Sequence, residues 1–99
     1  MQEDVFVPLD HPAFPGHFPG QPLLPGVSIL AEVLEVVLRR PELAAQVGAS
    51  PRLGAAKFLS PVRPGTTLTL QFNAGGNGLR FEVKAGDRQV ASGHFERVA

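Results

Sequence analysis

The sequence has no cysteine, and this absence excludes several kinds of chemistry at once. Among its 99 residues there is no Cys, Trp or Tyr and a single Met, so seven Phe supply all the aromatic content. Without cysteine, the chain has no disulfide, no thiolate nucleophile and no cysteine-based zinc site. Its stability has to come from packing, and any catalysis has to come from other side chains or from the backbone.

The chain also lacks an excess of charge of either sign. Nine Lys and Arg residues balance nine Asp and Glu residues, which gives a formal net charge of zero. No block of basic residues is present, so the electrostatic pattern typical of nucleic-acid binding is missing. The sequence therefore predicts no nucleic-acid partner.

Long apolar runs are missing as well. The longest extends from Val27 to Leu38, contains Glu32 and Glu35, and is too short to cross a bilayer. The N-terminus, MQEDVFVPLD, is acidic and has no basic segment followed by an apolar run, which argues against a secretory signal. These features predict a cytoplasmic protein without a membrane span.

The first half of the chain predicts one short strand and two helices. Residues 5–9, VFVPL, are apolar but contain Pro8, which cannot donate a ladder hydrogen bond, so we expect a short edge strand. Residues 27–40 contain no Gly or Pro and carry a single narrow polar stripe, which predicts a long and mostly buried helix. Residues 40–48 predict a short second helix, because Pro41 favours its first turn and Gly48 its end. The polar stripe of the long helix consists of Ser28, Glu32, Glu35 and Arg39.

The second half predicts antiparallel strands over residues 52–59, 66–73, 79–84 and 89–98. Apolar and polar residues alternate in the middle two segments, and Gly-rich turns separate the last three. The inward-facing residues would be Leu68, Leu70, Phe72, Leu79, Phe81 and Val83. Together with the long helix, these strands predict a single α+β domain over residues 1–99.

The stretch HFPGQPLLPG, residues 17–26, surrounds one histidine with three prolines and two glycines. Proline fixes φ and glycine permits close backbone approach, so this loop is built to hold a set shape. The stretch resembles the signature of the 3-hydroxyacyl-[acyl-carrier-protein] dehydratases, His-Phe-Pro-Gly-x-Pro-x-x-Pro-Gly. Residues 57–70, KFLSPVRPGTTLTL, are also similar to that family. The resemblance extends from about Leu9 to the C-terminus.

The resemblance implies the hotdog fold, in which an antiparallel β-sheet wraps around a long central helix. It implies that His17 is the catalytic base and that the Gly26 N–H polarises the thioester carbonyl. The substrate-binding residues would be Phe18, Gly20, Pro25, Gly26 and Val27. The substrate would be a 3-hydroxyacyl group on the phosphopantetheine arm of acyl carrier protein, and no metal or other cofactor is expected. The resemblance further implies a homodimer, or a higher oligomer of dimers, because base and acid come from different subunits.

One position departs from the family pattern. The acidic residue of the family falls fourteen positions after the histidine, where this chain has Ala31, and the nearest carboxylate is Glu32. One residue corresponds to about 100° of rotation on a helix. Three interpretations stay open: Glu32 acts as the acid in a shifted register, His17 works with water alone, or the site only binds acyl thioesters.

Two alternative functions follow from this departure. One is an acyl thioesterase on the same fold, and the other is a non-catalytic acyl-thioester-binding subunit that pairs with a different hotdog chain. Asp10 and His11 are a weak indication of a metal site, and His94 is interpreted as structural or as an interface residue. The favoured function is dehydration of 3-hydroxyacyl thioesters in fatty acid synthesis or in specialised lipid or polyene synthesis.

Overall fold

The computed structural model describes residues 1–9, 24, 26–48, 51–76 and 78–97. Within these ranges the chain forms two helices and five strands. The helices are α1 (Gly26–Arg39) and α2 (Pro41–Val47), and the strands are β1 (Gln2–Phe6), β2 (Arg52–Phe58), β3 (Thr67–Gly75), β4 (Gly78–Ala85) and β5 (Arg88–Glu96). Neither helix combines the length and the apolar character that a membrane-spanning segment needs.

All five strands belong to one antiparallel sheet with the order β1-β3-β4-β5-β2. Strands β3, β4 and β5 form a continuous meander, and positive φ angles at Gly76 (55°) and Gly86 (62°) allow its two turns. Strands β1 and β2 therefore form opposite edges of the sheet. The predicted edge position of the first strand is confirmed.

The core lies between α1 and one face of the sheet. From α1 it takes Ile29, Val33, Val36 and Val37, each no more than 2% exposed. The sheet supplies alternate apolar residues of β3 and β4, as the sequence pattern predicts, together with apolar residues of β5. These residues include Leu68, Leu70, Phe72, Leu79, Phe81, Val83, Val90, Ala91 and Phe95. The α+β architecture with a long helix on an antiparallel sheet is thus confirmed.

The first strand differs in its bounds from the sequence prediction. It was expected over residues 5–9, whereas β1 covers Gln2–Phe6 and ends two residues before Pro8. Beyond the strand, the Val7 N–H donates to the Thr66 carbonyl at 2.8 Å, and Pro8 has no N–H with which to extend this pairing. The apolar residues 7–9 therefore continue past the strand end.

Helix α1 is also less buried than predicted. Its apolar residues Val27 and Leu38 are 74% and 55% exposed, and Ala31 is exposed as well. The reason is geometric, because one sheet covers only one side of a helix. The helix therefore has a second apolar face, which includes the exposed Val27, Ala31 and Leu38.

A cluster of charges ties the end of α1 to β1. Glu3 accepts hydrogen bonds from Arg39 and from Arg40, whose Nε lies 2.6 Å from Glu3 Oε1. The Glu3 side chain is only 15% exposed, and the Arg40 hydrogen bond holds the pKa of its carboxyl below the usual value. The same contact raises the pKa of Arg40. The basic residues also suit the negative end of the helix dipole.

We predict that Glu3→Gln lowers the melting temperature by a few degrees at neutral pH, because it removes the charge that both arginines share. The folded pKa of Glu3 is depressed, so its stabilisation is fully present above the unfolded value near 4.5. It is lost as the pH falls through the lowered folded pKa. Thermal unfolding from pH 7 to pH 3, followed by circular dichroism, measures this difference between wild type and variant.

The matched control is Glu35→Gln, since Glu35 is 68% exposed and lies 3.7 Å from Arg39. An exposed pair of this kind contributes little. A loss of stability in both variants, or a Glu3→Gln effect that persists unchanged at low pH, would contradict the assignment.

Candidate active site

Most of the motif that predicts the site falls outside the described part of the chain. His17, Phe18, Gly20 and Pro25 all lie there, and so do Asp10 and His11. The assignment of His17 as the base therefore stays a prediction. Two of the predicted substrate-binding residues, Gly26 and Val27, are described, and they are the first two residues of α1.

Helix α1 begins at Gly26, the last residue of the motif. The first N–H groups of a helix have no partner inside it and carry partial positive charge. The residues of this first turn are all described, and none of them is acidic. Two positions earlier, the Leu24 N–H donates to the Val62 carbonyl at 2.7 Å and fixes the approach of the chain. The helix start is thus held in place with its positive end unneutralised by its own first turn.

A surface cleft of about 360 Å³ opens beside Gly26. Its walls come from the residues around the helix start and from the segment that follows β2. They are Leu24, Gly26, Ile29, Phe58, Leu59, Ser60 and Pro61. The walls are mainly apolar, and Gly26 brings the start of the helix to the cleft. This combination suits a ligand with a carbonyl attached to an apolar chain.

The ring of Phe58 lies directly against Gly26. A Cβ atom built on Gly26 would be 3.1 Å from the Cε1, Cε2 and Cζ atoms of Phe58. Real side chains rarely approach this closely, so the ring occupies space that the missing side chain leaves open. Phe58 is not among the site residues predicted from the sequence, although it stands in the segment KFLSPVRPG that carries part of the family resemblance.

A second cleft of about 330 Å³ lies on the exposed side of α1. It is lined by Val27, Leu30, Ala31, Leu34, Pro51, Leu53 and Phe95. Counting about 100° per residue, Ala31 lies on the opposite side of the helix from the buried face at Ile29 and Val33. The position at which the family has its acid therefore lies away from the buried face of α1, in the cleft that Leu53 of β2 also lines.

Glu32 lies on a different side of the helix from both clefts. It belongs to the polar stripe with Glu35 and Arg39, and Arg39 contacts Glu3 of β1. That stripe therefore faces the β1 flank, whereas Phe58 and Leu53 place the clefts at the β2 flank. Glu32 is half-buried, and it is not among the described residues that line either cleft. Its role as the acid stays a prediction.

His94 lies on the outer face of the sheet, away from α1. It pairs with Arg80 of β4 and with Ala55 of β2, and its imidazole ring occupies the position that a side chain at Gly54 would take. This packing agrees with the structural interpretation of His94. Within the described ranges there is no group of three or more His, Asp or Glu residues that could hold a metal ion.

Comparison of the sequence with known proteins places this chain in a known family. Residues 1–94 match a family model described as ApeI-like, ApeI dehydratase. The chain is 38% identical over 69 residues to the 3-hydroxyacyl-[acyl-carrier-protein] dehydratase FabZ of Herpetosiphon aurantiacus, covering 66% of this chain and 49% of that protein. The chain thus spans about half the length of the curated relatives it matches.

Solved structures agree. The dehydratase heterocomplex ApeI:P from Xenorhabdus doucetiae is similar with a TM-score of 0.74 and 27% identity, over 96% of this chain and 83% of that chain. The fluoroacetyl-CoA-specific thioesterase FlK, with a TM-score of 0.63, 17% identity and coverage of 97% and 87%, shares the fold alone. The fold is therefore the hotdog fold that the resemblance implies. Within that class, the chain belongs to the ApeI-like dehydratase family.

We predict that Gly26→Ala and Phe58→Leu are energetically coupled, because a methyl group at position 26 meets the Phe58 ring. Gly26→Ala should be less favourable by about 1 kcal/mol in the wild-type background than in Phe58→Leu. Urea-induced unfolding of the two single variants and the double variant measures this coupling. As a control, Gly75→Ala adds a Cβ with nothing within 4 Å and should be additive with Phe58→Leu. Equal coupling for both glycines would refute the contact.

Proposed function

We propose that the chain dehydrates 3-hydroxyacyl thioesters carried on acyl carrier protein to the trans-2-enoyl thioester. The observation that carries the proposal is the start of α1 at Gly26, open at the wall of a mainly apolar cleft and directly after the HFPGQPLLPG motif. Membership of the ApeI-like dehydratase family supports it. The pathway would be fatty acid synthesis or a specialised lipid or polyene synthesis.

In this mechanism the thioester carbonyl accepts a hydrogen bond from the Gly26 N–H. His17 removes a proton from C2, and the negative charge that develops on the carbonyl oxygen is stabilised by the same N–H and by the helix dipole. The bond between C3 and its hydroxyl oxygen then breaks, and the hydroxyl leaves as water with a proton from an acid. An unperturbed histidine titrates near neutral pH, which suits its work as a base.

The source of that last proton is the open part of the mechanism. Ala31 carries no acid, and Glu32 belongs to the stripe on the β1 flank. We propose Glu32 as the acid, and the competing assignments are water and a carboxylate from another subunit. Loss of the Glu32 carboxyl group separates the first assignment from the other two.

We predict that His17→Ala lowers the rate of enoyl-thioester formation about 10²–10⁴-fold, the contribution typical of a positioned base. Glu32→Gln should reduce the rate by a similar factor if Glu32 is the acid. Glu35→Gln, a carboxylate of the same stripe, should leave the rate unchanged. Ultraviolet absorbance of the enoyl thioester, formed from a 3-hydroxyacyl carrier substrate, follows the reaction.

The remaining outcomes separate the alternatives. Normal activity in Glu32→Gln would assign the proton to water or to another subunit. Release of free thiol without enoyl product would favour a thioesterase. Binding of the acyl carrier without either product would favour a non-catalytic subunit.

We also propose that the chain works as a dimer that covers β2 and the exposed apolar side of α1. Among the described strands, β2 is an edge of the sheet, and Leu53 on it is 42% exposed. Val27 and Ala31 of α1 line the neighbouring cleft. An exposed edge beside an exposed apolar face favours association. A partner on this surface would bring its own side chains close to Ala31.

The partner is proposed to be a second copy of this chain. The similar Xenorhabdus protein is a dehydratase heterocomplex, so a different hotdog chain that supplies the missing acid is the alternative partner. Activity that appears only after mixing with such a chain would favour the alternative.

We predict that Val27→Asp weakens the dimer at least about tenfold, because burying one unpaired carboxylate at the interface is costly. Leu9→Asp is the matched control, since Leu9 is 77% exposed and Val27 is 74% exposed. Leu9 is not among the described residues that line the second cleft, on the exposed side of α1. Sedimentation equilibrium measures both dissociation constants. A monomeric wild type, or equal weakening by both variants, would contradict this interface.

A further inference from the structure

Phe58 combines a fixed backbone with a half-exposed ring. It is the last residue of β2, and the next two N–H groups, of Leu59 and Ser60, both point to the Val90 carbonyl, at 2.8 Å and 3.4 Å. Val90 is fully buried, so these hydrogen bonds tie the end of β2 to the core. The residue as a whole remains 47% exposed.

The direction of the ring is set by its strand pairing. Phe58 pairs with Ala91, which is buried beneath α1, so both side chains leave the sheet on the helix side. From there the ring reaches the start of α1, where its far end packs against the backbone of Gly26. One side of the ring thus contacts the residue proposed to hold the thioester carbonyl.

Phe58 also lines the cleft that opens at the helix start. Leu24, Ile29 and Leu59 supply further apolar walls. An acyl chain whose carbonyl is bound at the Gly26 N–H would extend along this wall. A planar ring without a polar atom restricts size at this point and offers no hydrogen bond.

We infer that Phe58 is a specificity-determining residue that limits the size of the acyl group admitted beside Gly26. This inference rests on the proposed function, because it takes the Gly26 N–H as the carbonyl site. Removing the ring should enlarge the cleft next to the reacting carbons and admit longer or more branched acyl groups. The effect should change the preference among substrates more than the chemistry on the smallest one.

The test compares kcat/KM for a series of 3-hydroxyacyl carrier substrates of increasing chain length. In Phe58→Ala, the ratio of long-chain to short-chain kcat/KM should rise about tenfold or more, the scale on which an apolar pocket discriminates by size. Phe58→Leu should give an intermediate rise. Phe6→Ala, the same substitution at a 59% exposed residue on the opposite edge strand, should leave the ratio unchanged.

A second measurement separates this inference from the proposed function. Calorimetric binding of saturated acyl-pantetheine thioethers, which cannot react, reports the size limit without turnover. A shift toward longer chains in Phe58→Ala supports the inference even if the wild type forms no enoyl product. An unchanged ratio in the assay or unchanged length dependence in binding, with Phe58→Leu folded as judged by its thermal transition, would overturn it.

Discussion

The candidate site and the exposed side of α1 both depend on the packing of one face of α1 against one face of the sheet. Ile29, Val33, Val36 and Val37 are buried against the alternate residues of the three central strands. Because the sheet covers only that face, the opposite side of α1, with Val27, Ala31 and Leu38, is left exposed. The same packing brings the start of the helix to the end of β2, where Gly26 meets Phe58. The buried face thus sets both the candidate site and the surface that a partner would cover.

Much of the fold could be predicted from local pattern. Alternation placed the inward residues of β3 and β4 correctly, and Pro41 and Gly48 marked the short helix α2. Pattern could not give the order of strands, since pairing is decided by packing of distant segments. It also could not show that Val27 and Leu38 stay exposed. An apolar residue gives the same sequence pattern whether it is covered by its own sheet or by another chain.

The candidate site divides in a similar way. The sequence predicted the long helix from Val27, and α1 begins one residue earlier, at Gly26. The family resemblance of HFPGQPLLPG implied roles for Gly26 and for His17, which lies outside the described residues. It could not identify Phe58, because the contact with Gly26 joins residues far apart in sequence and depends on the absence of a single Cβ atom. Nor could it show that Glu32 and Ala31 face different flanks, one toward β1 and the other toward β2. That difference makes the origin of the acid the main chemical question for this chain.

The proposed removal of water from a 3-hydroxyacyl thioester is tested most directly by measuring the mass of the intact carrier protein. Carrier protein loaded with a 3-hydroxyacyl group is incubated with wild-type protein and with His17→Ala, and the mass is followed with time. We predict loss of one water with wild type, to the equilibrium mixture of hydroxyacyl and enoyl forms, and a much slower loss with His17→Ala. An unchanged mass with wild type across several chain lengths, or conversion to unloaded carrier, would contradict the account.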